Sequence, residues 1–388
     1  MVKVEKFIPG GQSLGELDDG KKIFFWNALP GELVLDYKIT KNKSHYVEAI
    51  ATSIDNQSIK RTNPKDECFL STSPWQILQY DYELKVKQEL IKEMFREHSI
   101  IIDTPDIVTD NKDYFYRNKM EYALYWDNKN NSIKPAFHSR GSHYKIPINQ
   151  SSLERPEIFQ KTTSIINDLN KKHEEARRYQ SLLLRCNQKG EVSGGLYENN
   201  RPHPSFNTLS DTILGYQYSY SPNGFFQINL PVYEMALKEI KQHISTQKVL
   251  DLYSGVGTIG LSVARDLELT LVECDKHAFN ELEKNVKQAK PNNHITTSLA
   301  KSEAVTEYIT PNQTVIIDPP RAGCDTKLIE KLNQEKPDTI IYLSCNPITQ
   351  ARDAKILLDN YSIKLIKAYN FFPHTPHIEN LLILKNKS

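Results

Sequence analysis

Short apolar segments alternate regularly with longer amphipathic segments from about Leu214 to the end of the chain. The apolar segments KVLDLYSG, ELTLVEC, TVIIDPP and TIIYLSC have the composition of buried strands, and the segments between them have the apolar spacing of helices. Parallel strands need crossover connections, which are usually helices. The alternation therefore predicts an α/β domain with a mostly parallel sheet and helices on both faces, covering residues 214–388.

The first half of the chain has a different pattern. Residues 1–62 contain four or five short apolar or alternating segments separated by turns rich in Gly, Pro and Asp, which is typical of a small β-barrel. Residues 63–213 mix strand-like and helix-like segments and are predicted to form a central α+β domain. In it, a helix near residues 82–98 has an apolar stripe available to pack on the C-terminal domain.

Charge and cysteine content exclude several classes of protein. The net charge of +1 is spread evenly, so no domain is strongly basic. Between residues 112 and 145, however, seven basic side chains stand against three acidic ones, which fits a solvated loop face and an RNA-contact face equally well. Five scattered cysteines without a C-x-x-C pair predict neither a metal site nor a disulfide framework. The chain has no apolar leader or membrane-length apolar run, so we expect a cytoplasmic protein.

The segment DLYSGVGTIG, residues 251–260, places three glycines between a predicted strand and a predicted helix. Gly255, Gly257 and Gly260 have the spacing G-x-G-x-x-G, and Glu273 ends the next strand, where an acid can bind ribose hydroxyls. By itself this pattern fits three interpretations. They are the NAD site of a Rossmann-like dehydrogenase, a site for S-adenosylmethionine (SAM), and a tight turn without a ligand.

The segment TVIIDPPRAG helps to decide among these three interpretations of the glycine motif. Asp318 followed by two prolines gives the strand end a rigid carboxylate, for which a nicotinamide enzyme has no need. Methyltransferases that act on a planar nitrogen use a related segment in which an aromatic residue follows the prolines. Arg321 occupies that position here, which disfavours an N-methyltransferase of this type.

A cysteine and a glutamate complete a set of residues suited to methylation at carbon. C5 of uracil is a poor nucleophile until a thiolate has added to C6, and a base must later remove the C5 proton so that the thiol can leave. Cys345 ends the predicted strand next to that of Asp318, and Glu379 lies just before the last strand. We therefore predict that Cys345 and Glu379 face one pocket.

Five motifs of the chain together resemble those of the RNA uracil-C5 methyltransferases, which make 5-methyluridine in ribosomal and transfer RNA. The motifs are SPNGFFQIN, DLYSGVGTIGL, DPPRAG, LSCNPITQARD and FFPHTPHIE. They occur in the family's order over roughly the C-terminal half of the chain. The resemblance implies a SAM-dependent catalytic domain with Cys345 as nucleophile and Glu379 as general base. Asp318 is implied to close the pocket between donor and target base. The residues implied to contact SAM are Gln227, Tyr253, Gly255, Thr258, Glu273 and Asp318.

The predicted barrel resembles the TRAM module, an OB-like fold with which many of these enzymes hold RNA. The segment GGQSLGELDDGKKIFFWNALPGE carries this resemblance, and Phe24, Phe25 and Trp26 are candidates for base stacking or for the barrel core. The module is typical of members that act on ribosomal RNA, so 23S ribosomal RNA is the expected substrate of a monomeric enzyme. The transfer-RNA T-loop is the alternative.

Many members of this family bind an iron–sulfur cluster through four cysteines, and the chain departs from that pattern. Only Cys68 is present in the first cysteine group, and the segment around Ser151 has no cysteine. A single thiol cannot hold such a cluster, so we predict none. A non-catalytic RNA-binding protein with the same fold is a further alternative, but it would have no need of both Cys345 and Glu379.

Overall fold

The computed structural model describes residues 1–172, 178–198, 201–203, 206–289 and 294–387. Within them the strands are β1 Val2–Phe7, β2 Ser13–Glu16, β3 Lys22–Trp26, β4 Leu33–Asn42, β5 Tyr46–Asp55, β6 Asp106–Val108, β7 Lys119–Asp127, β8 Ser132–His138, β9 Lys145–Pro147, β10 Ser181–Cys186, β11 Val192–Glu198, β12 Arg201–His203, β13 Leu209–Ile213, β14 Tyr216–Tyr220, β15 Lys248–Leu252, β16 Glu268–Glu273, β17 Ile295–Leu299, β18 Gln313–Ile317, β19 Thr339–Ser344, β20 Tyr361–Tyr369 and β21 Glu379–Asn386. The α-helices are α1 Phe69–Thr72, α2 Tyr80–Glu97, α3 Pro156–Lys171, α4 Leu230–Gln242, α5 Thr258–Ala264, α6 Lys276–Ala289, α7 Thr326–Glu335 and α8 Pro347–Leu357.

The N-terminal strands form a closed barrel in the order β1-β2-β3-β5-β4. Strand β2 lies within a segment whose glycines predict only a turn. Ser13 and Gly15 of β2 are buried in the barrel, and the strand pairs with β1 and β3. Because these inward-facing residues are small, the sequence shows little of the apolar alternation that predicts a strand. Phe25 is 1% exposed inside the barrel, so its role as a stacking residue is wrong and its role in the core is confirmed.

The central region is a six-stranded antiparallel sheet in the order β12-β11-β10-β7-β8-β9. Helix α3 buries Ile158, Ile166 and Leu169 against it. The apolar face of α3 thus packs on one face of this sheet. The other face of the sheet can therefore contact the C-terminal region.

The C-terminal region is built on an eight-stranded sheet in the order β17-β16-β15-β18-β19-β21-β20-β6. Strands β15 to β19 pair in parallel, whereas β21 is antiparallel to both β19 and β20. Successive residues of these strands enter two different cores, one on each face, as at Ile316 and Ile317. The sheet is buried on both faces, which is why its strands are near-continuous apolar runs.

Residues from the first half of the chain complete this sheet and its core. Strand β6 pairs in parallel with β20 at the sheet edge. Helix α2 buries Leu90, Ile91 and Phe95 in the same core as strands β18 and β19. No helix in the described part of the chain is long and apolar enough to cross a membrane.

Candidate active site

A cavity of about 950 Å³ opens at the carboxyl ends of the parallel strands. This edge is where open α/β sheets bind their ligands, because the loops that leave the strands converge there. All eight residues proposed from the sequence line the cavity, namely Gln227, Tyr253, Gly255, Thr258, Glu273, Asp318, Cys345 and Glu379. Their functional roles stay predictions, but the structure brings them together in one place.

The glycine turn exposes its backbone to the cavity. Gly255 has φ 57° and a Cβ atom there would meet nothing within 4 Å, so the main chain lies bare to a ligand. Its N–H donates to Oε2 of Glu273 at 2.8 Å, and the N–H of Asp275 donates to Oε1 at 2.6 Å. Tyr253 adopts φ 64°, a conformation that is uncommon for a tyrosine and occurs preferentially at functional sites.

Asp251 stabilises the glycine turn by a hydrogen bond to its backbone. Its side chain is fully buried and Oδ2 accepts a hydrogen bond of 2.8 Å from the N–H of Gly260. Desolvation raises the pKa of this carboxyl to about 8, with smaller contributions from the charges of Asp318 and Glu273. The absence of a side chain at Gly260 lets α5 approach β15 this closely.

Substitution of Gly260 by alanine is expected to destabilise this region. The new Cβ would lie 2.5 Å from Cδ2 of Leu271 and 2.7 Å from Oδ2 of Asp251, so neighbouring groups must move. Overpacking of this kind costs about 1–3 kcal/mol, measurable as a lower free energy of unfolding in urea. Gly224→Ala is the control, because its Cβ would make ordinary contacts of 3.4 Å or longer. Equal stability of the two variants would contradict the packing argument.

The loop of residues 221–229 forms another wall, and the central sheet holds it. Asn118 donates to the carbonyl of Gln227 at 3.0 Å, and Arg185 donates to the carbonyl of Phe226 at 3.1 Å. Lys119 donates to the carbonyls of Asn223 and Gly224 at 3.2 and 3.3 Å. The side chain of Phe225 is 74% exposed at the cavity mouth. A large exposed ring beside a cavity is well suited to stack on a planar group.

Cys345 lies between β19 and α8, where the chain turns. Asn346 caps α8 by accepting from the N–H of Ile348, and its amide donates to the carbonyl of Arg321 at 2.8 Å. The loops after β18 and β19 are thereby fixed to each other. Desolvation raises the pKa of the Cys345 thiol to about 11, helped by the charges of Glu379 and Asp318, whereas Arg321 lowers it.

Two carboxyl groups share the cavity with this thiol. Glu379 is 4% exposed, and desolvation raises its pKa well above the usual range, with a further increase from Asp318 and a decrease from Arg321. Desolvation also raises the pKa of Asp318 to about 7. A carboxyl group with a raised pKa is a stronger base once it is ionised.

Arg321 and His377 belong to the site although their roles are not predicted from the sequence. The guanidinium of Arg321 donates to Nδ1 of His377 at 3.3 Å. Desolvation and nearby cations, Arg321 first among them, lower the pKa of His377 to about 4, so this imidazole is neutral at pH 7. Arg321 lies in the motif DPPRAG and His377 in FFPHTPHIE, but only the three-dimensional structure brings them into contact.

A hydrogen-bonded network joins the two segments in which many members of the family have cluster-binding cysteines. The amide of Gln76 donates to Asp66 at 3.1 Å and to Ser73 at 2.7 Å, and Ser151 donates to Asp66 at 3.2 Å. Cys68 is buried nearby. In the described ranges, no three or more His, Cys, Asp or Glu side chains are placed to bind a metal ion together.

Comparison with known proteins agrees with the motifs. A family model described as tRNA (Uracil-5-)-methyltransferase matches residues 208–387. The tRNA (uracil(54)-C(5))-methyltransferase of Pyrococcus horikoshii is 31% identical over 348 residues, which cover 78% of this chain and 81% of that protein. An uncharacterized RNA methyltransferase of Nanoarchaeum equitans is 28% identical over 94% of this chain and 90% of its own length.

A solved structure resembles the whole chain. The tRNA (uracil-54, C5)-methyltransferase of Pyrococcus abyssi, crystallised with S-adenosyl-L-homocysteine, superposes with a TM-score of 0.77 at 25% sequence identity. The match covers 99% of this chain and 100% of that one, so it includes the barrel and the central sheet. With these similarities and the five motifs in order, the chain belongs to the RNA uracil-C5 methyltransferase family.

Proposed function

We propose that the protein transfers a methyl group from SAM to C5 of a uridine in RNA, through a covalent bond between Cys345 and C6 of the uracil ring. The observation that carries this proposal is that Cys345, Glu379 and the exposed backbone of Gly255 line the same cavity. A thiol, a base and a donor site are the three components that this chemistry requires.

The cavity fits SAM. Its volume of about 950 Å³ lies at the upper end of the range for ligand pockets, so SAM and a uracil ring can occupy it together. Five carboxyl groups line it, those of Glu273, Asp275, Glu281, Asp318 and Glu379. Those of Glu273, Asp275 and Glu281 give the lining a negative charge that suits a cationic donor. Glu273 and the bare backbone at Gly255 are the groups proposed to hold the adenosine part, and Gln227 and Asp318 those proposed to face the methyl donor.

The residues act in sequence on the bound uracil. Cys345 adds through its thiolate to C6, and the negative charge moves to C5 and O4 of the ring. Bound SAM would supply the electrophilic methyl group that C5 accepts, and its sulfonium sulfur would keep the bonding electrons to leave as S-adenosyl-L-homocysteine. Glu379 then removes the proton from C5, the C5–C6 double bond forms again, and the Cys345 sulfur leaves as the thiolate. The product is 5-methyluridine and the cysteine is regenerated.

Arg321 is proposed to favour the anionic forms of both Cys345 and Glu379, because it lowers the pKa of each. In the Arg321→Gln variant both pKa values rise, so a smaller fraction of each group is ionised at pH 7. We expect kcat/KM at neutral pH to fall roughly 10- to 100-fold, with the rising limb of the pH–rate profile displaced to higher pH. Arg321→Lys keeps the charge and serves as control. A profile unchanged in Arg321→Gln would argue against this role.

The RNA substrate has two candidates. The TRAM-like barrel led to the prediction of 23S ribosomal RNA, and this stays a prediction. Two relatives, from Pyrococcus abyssi and Pyrococcus horikoshii, are named as transfer-RNA uridine-54 enzymes, and the solved structure of the former matches this chain over its full length. The barrel therefore does not separate the candidates, and the names of these relatives support transfer RNA, the alternative to 23S ribosomal RNA.

The experiment that tests the function uses methyl-labelled SAM with unmodified transfer RNA and 23S ribosomal RNA. After incubation with the enzyme, each RNA is digested to nucleosides and analysed by mass spectrometry. Labelled 5-methyluridine in either RNA supports the proposal, and the RNA that carries it identifies the substrate. If neither free RNA is labelled, ribosomal precursors are tested in the same way. Label in another nucleoside, or no label in any of these substrates, would refute the proposed activity.

A further inference from the structure

The turn that precedes Glu379 is held by distant parts of the chain. This segment, residues 370–378, joins β20 to β21 and is here named the catalytic turn. Glu379 is the first residue of β21, so the position of its carboxyl group depends on where the catalytic turn lies. Most of the side chains that fix the turn's backbone come from residues before 120.

Helix α2 and its neighbours bind the backbone of the turn. The carboxylate of Glu83 accepts the N–H of His374, at 2.9 Å to Oε2 and 3.1 Å to Oε1. Lys87, which is fully buried and paired with Glu83 at 2.7 Å, donates to the carbonyl of Phe372 at 3.1 Å. Tyr116 donates through its hydroxyl to the carbonyl of Pro373 at 3.0 Å. Buried polar groups of this kind specify one position of the backbone, because any other leaves them unpaired.

The N-terminal barrel reaches the same turn through Gly11 and Trp75. The backbone N–H of Trp75 donates to the carbonyl of His374 at 3.1 Å, and its indole N–H donates to the carbonyl of Gly11 at 2.9 Å. Gly11 in turn lies directly against Pro376, because a Cβ atom on Gly11 would be 2.2 Å from Cβ and 2.7 Å from Cγ of Pro376. Only a residue without a side chain permits this approach.

From these contacts we infer that Gly11 and Trp75 are positioning residues for the general base. Gly11 and the indole of Trp75 pack against the catalytic turn. Pro376, three residues before Glu379, contacts Gly11 directly. The ring of Pro376 fixes its own φ, so the backbone has fewer rotations with which to absorb a displacement of Pro376 before it reaches Glu379. This inference rests on the proposed role of Glu379.

Ordinary packing between domains is the competing explanation, and a matched pair of glycines separates the two. Gly10 and Gly11 have φ of +93° and +92°, so alanine introduces similar backbone strain at either position. At Gly10 a Cβ would meet nothing within 4 Å, whereas at Gly11 it would strike Pro376. At Gly11 the Cβ would also lie 3.3 Å from the indole nitrogen of Trp75, so any difference between Gly10→Ala and Gly11→Ala reports the contacts of Gly11 with Pro376 and Trp75.

The test compares methylation by the two variants with that of the wild type. For Gly11→Ala we expect kcat to fall roughly 100-fold, as for a displacement of about 1 Å at a reacting group, with the KM for SAM unchanged. A covalent enzyme–RNA adduct should accumulate, because removal of the C5 proton is the step that is slowed. Gly10→Ala should stay within about twofold of the wild type in kcat and form no excess adduct.

Two further measurements keep the inference open to refutation. Trp75→Phe removes the indole hydrogen bond to Gly11 and keeps an aromatic ring at this position, so it should accumulate the same adduct, and it is the test variant should Gly11→Ala not fold. Hydrogen exchange in the catalytic turn should be faster in Gly11→Ala than in Gly10→Ala, whatever the activity.

Equal kinetics of the two glycine variants would overturn the inference, as would a loss of kcat without adduct. A wild-type enzyme that makes no 5-methyluridine refutes the proposed function and with it the role in catalysis. The exchange measurement would still decide whether Gly11 braces the turn.

Discussion

Substitution of Cys345 by alanine is expected to abolish formation of 5-methyluridine. Without the sulfur no adduct forms at C6, and C5 of the uracil ring stays too weak a nucleophile to accept a methyl group. Nucleophile loss typically lowers kcat by several orders of magnitude, roughly 10⁶-fold in a well-studied hydrolase, so product should fall below detection. The measurement is labelled nucleoside per enzyme, with RNA binding checked separately to confirm that the variant is folded.

A second thiol in the same cavity provides the control for this variant. Cys274 is exposed and lines the cavity near Glu273, but it follows β16 and not the strand that carries Cys345. Cys274→Ala should therefore keep nearly full activity. Activity retained in Cys345→Ala and lost in Cys274→Ala would mean that the nucleophile is misassigned.

Substitution of Glu379 by glutamine is expected to trap the enzyme on its RNA. The amide cannot remove the C5 proton, so the methylated ring keeps its bond to the Cys345 sulfur and turnover falls roughly 10²- to 10⁴-fold. The adduct should appear as a slowly migrating band on a denaturing gel, labelled from both RNA and methyl-labelled SAM. It should be absent from the Cys345→Ala/Glu379→Gln double variant. Failure to find any adduct would remove Glu379 from the role of base.

The residues that line the cavity were predictable because they follow from local rules. Tyr253, Asp318 and Cys345 each come directly after a buried strand, and the carboxyl ends of parallel strands must meet at one edge of the sheet. The alternation of strands and helices therefore brings these residues together before any contact is known. The role of each residue comes from the family resemblance, which the periodicity of the sequence does not supply.

The support of the catalytic turn could not be predicted in this way. Lys87 and Asn370 are 283 positions apart and Glu83 and His374 are 291 apart, and no local pattern links them. Within α2, a buried lysine and glutamate on the packed face contradict the simple expectation that charges face solvent. Their reason is tertiary, because they satisfy the backbone of a turn from the opposite end of the chain.

Strand β6 illustrates a second limit. Asp106, Ile107 and Val108 form three residues of strand, too short to give a periodic signal, yet they extend the C-terminal sheet beyond β20. Sheet edges recruit such segments because unpaired N–H and C=O groups of an edge strand need partners. The family model, which begins at residue 208, likewise leaves out these N-terminal contributions to the catalytic region.

Methylation at C5 of uridine is tested by measuring release of the hydrogen from C5. The enzyme is incubated with SAM carrying a labelled methyl group and with RNA whose uridines carry tritium at C5, and tritium in water is compared with methyl groups in RNA. Methylation at C5 with removal of the C5 proton by Glu379 predicts one tritium released for each methyl group transferred, and neither event with Cys345→Ala. Transfer of methyl groups without release of tritium would place the methyl group on another atom and contradict the account.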